Sequence, residues 1–292
     1  MDIIRKNKYY ILIGLLPAIL LYTTFVLYPI VRSFFYGFYS WNGLNSPKFI
    51  GFDNFVAIFK DSVFWLSFRN NIYVVIFSVF AQIPIGLILA YILSRKLRGA
   101  GFFQTAFFIP MMLSTVVVGL LWSTLLNSQV GIVNILLEKI GLGRFAYNWL
   151  GDPKYAMFTV CMVIVWQFFG YYMLIFLAAI QNIPEEVMEA AEIDGAKEST
   201  KLMKITMPML WPTIITSIVL CISGSMRSFD LVFVMTQGGP ANATELMATY
   251  MYNKTFSVYK YGYGSAVSLV IFAISFSLIL LSQTLLRRQL DD

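Results

Sequence analysis

Six stretches of the chain carry no charged residue: 9–31, 70–94, 99–137, 155–184, 205–226 and 261–286. About 20 apolar residues rising ~1.5 Å each cross the hydrocarbon of a bilayer, so every stretch is long enough to span one. None alternates apolar and polar positions as barrel strands do, so the predicted elements are helices. The third stretch is about twice the length needed. Asn127, Ser128, Gln129 and Gly131 interrupt it, and its span is placed at 101–126. The expected fold class is an all-α polytopic membrane protein of six transmembrane helices, near 9–31, 70–94, 101–126, 155–184, 205–226 and 261–286, read as one domain over 1–292. Arg5, Lys6 and Lys8 before the first apolar run resemble the start of a signal peptide. No A-x-A cleavage pattern ends that run, which favours an uncleaved first helix.

Composition supports a membrane protein. The chain is 59% hydrophobic and 12% charged, against ~25% charged in soluble domains, and its mean hydropathy is +0.73. There is no histidine, which removes the commonest general base, proton relay and zinc ligand. No metal site is expected. Cys161 and Cys221 sit in apolar runs, which argues against a disulfide framework. Of the 21 cations, Arg5, Lys6, Lys8, Arg95, Lys96, Arg98, Lys197, Lys201, Lys204, Arg287 and Arg288 fall in the short segments on one side. The positive-inside rule then places both termini in the cytoplasm. The net charge of +6 is read as cations at helix ends beside the lipid, and no nucleic-acid partner is expected.

The outer segments carry their own signals. Residues 32–69 hold Phe34, Phe35, Tyr36, Phe38, Tyr39 and Trp41. Such a stretch suits the headgroup level of a membrane and could also dock an outside partner. Residues 227–260 hold Gly238, Gly239 and Pro240, a turn signal.

The segment between the fourth and fifth spans, Pro184-EEVMEAAEIDGAKESTKLMKITMP, differs from its surroundings. Pro184 suits a helix start, and Glu185 and Glu186 complement the positive end of a helix dipole. Val187, Ala190 and Ala191 fall on one face, with Glu189 and Glu192 beside it. Gly195, after Asp194, can take the left-handed conformation that ends a helix. A second amphipathic helix is expected from there to Pro208. On this chemistry alone, a solvated hairpin joining two spans and a docking element are equally good readings.

Spacing separates them. Glu189-Ala190-Ala191, three residues, Gly195, nine residues, Ile205 and Pro208 resemble the EAA loop of binding-protein-dependent ABC importer permeases, with Met207 where leucine is usual. Further along, Met235-TQGGPANATE is similar to a segment of the carbohydrate-type members. Leu97-Arg98-Gly99 with Ile109-Pro110, Gly51-Phe52-Asp53-Asn54-Phe55 and Leu177-AAIQNIP fit the same group. The likeness runs from about Tyr28 to Arg288 and is nearest to maltose-type and glycerol-phosphate-type subunits. The large outer insertion of some maltose-type members has no counterpart.

This resemblance implies the transmembrane domain of an ABC type I importer in a bacterial or archaeal plasma membrane, a permease subunit without catalysis of its own. It implies a second homologous permease, two cytoplasmic ATPase subunits holding ATP and magnesium, and an extracytoplasmic solute-binding protein. No cofactor is expected on this chain, which contains no G-x-x-x-x-G-K-[ST] phosphate loop. Glu185, Glu189, Ala190, Ala191, Asp194, Gly195, Ile205 and Pro208 become candidates for coupling to the ATPase.

Sugars are held by aromatic faces and a few hydroxyl or amide groups. Polar residues inside spans are costly unless they face a cavity or a partner helix. The candidates are Met111, Ser114 and Thr115 in the third span, Trp166, Gln167 and Tyr171 in the fourth, and Ser225, Arg227 and Ser228 at the end of the fifth. Sugar contacts in the maltose-type relative align with Met111, Thr115, Gln167, Tyr171 and Ser228, though several identities differ. Arg227 could attract an anionic solute or pair with Asp230 three residues on, and is read as structural. The expected solute is a disaccharide or oligosaccharide. Glycerol-3-phosphate or an acidic sugar is the alternative, and a stand-alone carrier or channel stands further off. No carboxylate lies within the first four spans, which disfavours a proton relay.

Overall fold

The computed structural model describes residues 8–95 and 97–291. Arg5, Lys6 and Lys96, which enter the charge argument, lie outside the described residues. In chain order the helices begin with α1 (Lys8–Tyr22), which passes through a π-helical turn into α2 (Tyr28–Tyr36). A short hairpin β1 (Tyr39–Ser40) and β2 (Lys48–Phe49) follows, then α3 (Asp53–Lys60), α4 (Ser62–Ser94), α5 (Ala100–Met112), α6 (Thr115–Leu125) and α7 (Ile132–Lys139). Next come α8 (Pro153–Ile180), α9 (Glu185–Ile193), α10 (Glu198–Thr200), α11 (Met207–Met209) and α12 (Trp211–Met226). The chain continues through α13 (Asp230–Thr236), α14 (Met247–Tyr252) and α15 (Tyr261–Asp291). Four helical segments are long and apolar enough to cross a membrane: Gly14–Tyr36, Ser62–Ser94, Pro153–Ile180 and Tyr261–Thr284. Two bent pairs bring the total to six spans if each pair crosses once.

Those breaks revise the two spans expected as single helices. The stretch 101–126 is α5 and α6 meeting at 96°. Leu113 and Ser114 between them are extended, with ψ of 146° and 129°, so the helical hydrogen-bond ladder stops there. The stretch 205–226 begins in one helix and ends in another at 73°. Its pivot is Leu210, only 2% exposed. Pro208 lies in α11 before the bend, and Pro212 occupies the first turn of α12, where a missing N–H costs nothing.

Two compact units are distinguished, one made of residues up to Asp61 with Met251–Phe272, the other of Ser62–Tyr250 with the segment from Ala273. In the first, Tyr39 pairs with Phe49 and Ser40 with Lys48 across the hairpin. The Asn54 amide donates to Gly37 O (2.9 Å) and Tyr39 O (3.0 Å) and pins the hairpin to α3. Much of the aromatic stretch packs within this unit: Tyr36 stacks on Trp41 (4.4 Å), and Phe38 meets Phe52 and Phe55. Phe34 and Phe35 stay exposed.

In the second unit α4 and α8 run together. Ile83, Leu87 and Ala90 pack with Met173, Phe176 and Leu177, and Leu210 and Ile214 close the cluster. Lipid tails are as apolar as leucine, so close packing rather than removal from water holds such helices together. Small residues set the distance. A Cβ on Gly86 would lie 2.9 Å from the backbone nitrogen of Met173, and one on Gly170 would strike the Phe107 carbonyl. Beyond α13, the turn signal becomes a tight loop with a cis Gly239–Pro240 bond, closed by the Thr244 hydroxyl donating to Gly239 O (2.7 Å).

Candidate functional site

Within the second unit the first break opens onto a cavity of about 350 Å³. Met111 and Thr115, from either side of the break, form one wall; Ile164, Phe168 and Tyr171 on α8 form another. Val74 and Gln82 of α4 and the end of α12 through Ser225, Arg227, Ser228 and Asp230 complete it. Six of the nine predicted solute residues therefore meet: Met111, Thr115, Tyr171, Ser225, Arg227 and Ser228. Three do not line the cavity. Gln167 is buried behind Thr115, to which its amide donates (3.4 Å). Trp166 turns edge-on to Trp122 (5.3 Å) and joins the apolar core, a packing role. Ser114 is exposed at the start of α6.

The expected Arg227–Asp230 pair is not formed among the described residues. The Arg227 Nε instead donates back to Ser223 O (3.4 Å), and both side chains are exposed on the cavity wall. Sequence reasoning missed Gln82, which is 3% exposed, donates to Ile164 O (3.3 Å) and accepts from Cys221 Sγ (3.7 Å). Its signal was an amide in the middle of an apolar run. Cys161 and Cys221 are buried free thiols. Among the described residues no cluster of His, Cys, Asp and Glu could hold a metal ion.

The second constellation is the hairpin after α8. Glu185 and Glu186 occupy the first turn of α9, where the helix dipole favours them. Gly195 has φ +69°, and the helix ends with Gly195 N donating to Glu192 O (3.0 Å) and Ala196 N to Ala191 O (2.9 Å). This is a Schellman ending, and it requires the left-handed residue at Gly195. Glu189, Ala190 and Asp194 are exposed and Ile193 is 87% exposed, whereas Ala191 is turned into the chain at 6%. Ala190 thus lies on the exposed face of α9, whereas Ala191 does not. Glu185, Met188 and Glu189 border a groove of about 770 Å³, with Tyr91 of α4 and Arg95 just beyond that helix also on its wall. Ile205 is half-buried and Pro208 exposed, both before the bend at Leu210.

Comparison with known proteins settles the family. The model of the binding-protein-dependent transport system inner membrane component matches residues 82–291. The chain belongs to that family. As a permease it is 34% identical over 272 residues to a probable ABC transporter permease of Pyrococcus horikoshii, covering 93% of each chain. It is 37% identical over 272 residues to the lactose transport system permease protein LacF of Rhizobium radiobacter, covering 91% of each. Its fold matches a bacterial ABC transporter that imports the acidic polysaccharide alginate, with a TM-score of 0.85, 24% identity and 98% of both chains covered. The permease is thus a multi-pass, non-catalytic membrane subunit of an ABC transporter, and ATP hydrolysis resides in separate subunits.

Proposed function

We propose that this permease, with a second homologous permease, forms the pathway of an importer for a neutral disaccharide or oligosaccharide, with both termini in the cytoplasm. Two ATPase subunits carrying ATP and magnesium drive it, and an outside binding protein delivers the sugar. The observation that carries the reading is α9, a short acidic helix closed at Gly195 that exposes Glu189, Ala190 and Ile193. Without a phosphate loop, the chain must receive energy mechanically, and a helix ending in a fixed turn can be moved as a rigid body. Glu189 would pair with a cation on the ATPase, and Ile193 would supply the apolar contact. The sugar reading is supported by a cavity with a few hydroxyl and amide groups among apolar and aromatic walls, and by the lactose transport relative.

The test is ATP hydrolysis and uptake by the reconstituted complex, with and without binding protein, over neutral and acidic sugars. Stimulation by a neutral oligosaccharide is expected, and Glu189→Lys or Gly195→Pro should leave insertion intact while abolishing the coupling. Normal uptake by both variants would sink the assignment. The exposed guanidinium of Arg227 on the cavity wall favours one second reading, an acidic solute. Under that reading only phosphorylated or acidic sugars stimulate.

A further inference from the structure

The C-terminal end of α4 meets the hairpin through one carboxylate. Glu198 at the start of α10 is paired with the Arg95 guanidinium and lies 2.8 Å from the Tyr91 hydroxyl, which donates to it. Lys201 reaches the same carboxylate (3.4 Å) and Glu192 of α9 (2.8 Å). The Lys201 side chain is only 7% exposed, and a sequestered ammonium demands such partners. Arg95 also lies over the Tyr91 ring (5.1 Å), which orients the guanidinium. A continuous path of charge-assisted bonds thus runs from α9 through Glu192, Lys201 and Glu198 into α4.

By covalent connection alone, movement of α9 reaches α8 and α12. Glu198 adds α4, the helix that brings Gln82 and Val74 to the cavity. We infer that the hairpin and the end of α4 move as one body during transport, with Glu198 as the positioning residue that carries the stroke of α9 to the cavity wall. This rests on the importer reading above.

The test measures solute moved per ATP hydrolysed in the reconstituted complex. Glu198→Gln preserves shape and removes the charge, and should lower that ratio roughly fivefold, the scale of one modest ion pair. Its thermal melting should stay near wild type. Arg95→Gln, which removes the other half of the pair and leaves Lys201 its two carboxylates, should lower the ratio to a similar extent. Combining it with Glu198→Gln should lower it little further, which two independent structural losses would not do. An Arg95→Cys, Glu198→Cys pair bridged by a bifunctional thiol reagent should still transport; Cys161 and Cys221 are buried and need no replacement. Loss of uptake on bridging, or an unchanged ratio in Glu198→Gln, would overturn the inference. If the wild-type complex shows no ATP hydrolysis stimulated by binding protein, the importer reading itself fails, a separate result.

Discussion

The two ends of α4 are held by opposite chemistries. At its N-terminal end Asn70 and Asn71 are 6% and 0% exposed. The Asn70 amide donates to Ala243 O (3.1 Å) and Glu245 O (3.0 Å), while Asn71 donates to Ser225 O (3.3 Å) and accepts from Met247 N (2.8 Å). At its C-terminal end Arg95 and Glu198 are 44% and 53% exposed and paired by charge. Buried neutral amides bound to backbone leave their partners stranded if removed, which costs ~1–3 kcal/mol per group. Half-exposed ion pairs contribute only ~0–1 kcal/mol and weaken with salt. One end of the helix is therefore anchored, and the other is attached by bonds that transmit movement without contributing much stability.

Three experiments press on this contrast. The largest effect is expected from Asn71→Ala, which strands the Met247 amide; a loss of ~2 kcal/mol should appear in the thermal melt of the detergent-solubilised permease. A melt equal to that of wild type would abolish the distinction between the ends. Gly86→Ala comes next, because the added methyl meets the backbone of α8. Overpacking of ~1 kcal/mol or more should lower stability with the clasp intact, separating helix contact from end attachment. The smallest effect concerns pH. The Tyr91 hydroxyl, followed by Arg95 and Lys201, holds the Glu198 carboxyl below its ordinary range. A carboxylate whose folded pKa is lowered stabilises the fold above its unfolded pKa and loses that contribution as pH falls through the folded value. The melting difference between wild type and Glu198→Gln should therefore be small near neutrality and vanish in acid below the usual carboxylate range. A difference that grows on acidification would contradict the pairing.

What could be read in advance follows the range of the interaction involved. The turn at Gly195 was legible because a left-handed residue closing an amphipathic helix is decided within a few positions. Apolar length likewise located the helical spans. The bends at Leu113–Ser114 and Leu210 escaped, since the same apolar run suits one helix or two until neighbours such as Phe107, packed against Gly170, decide. Trp166 and Gln167 were placed in the right helix, yet packing turned them away from the cavity that Tyr171 faces. Gln82, the asparagine pair and the Glu198 clasp bond to groups far along the chain, so no local pattern announces them. Local backbone preference and hydrophobic length thus settle which segments are helices, which loop carries the EAA spacing and where its helix ends. Which polar groups meet, at a cavity or at either end of α4, is decided only when packed helices bring distant donors and acceptors within bonding distance.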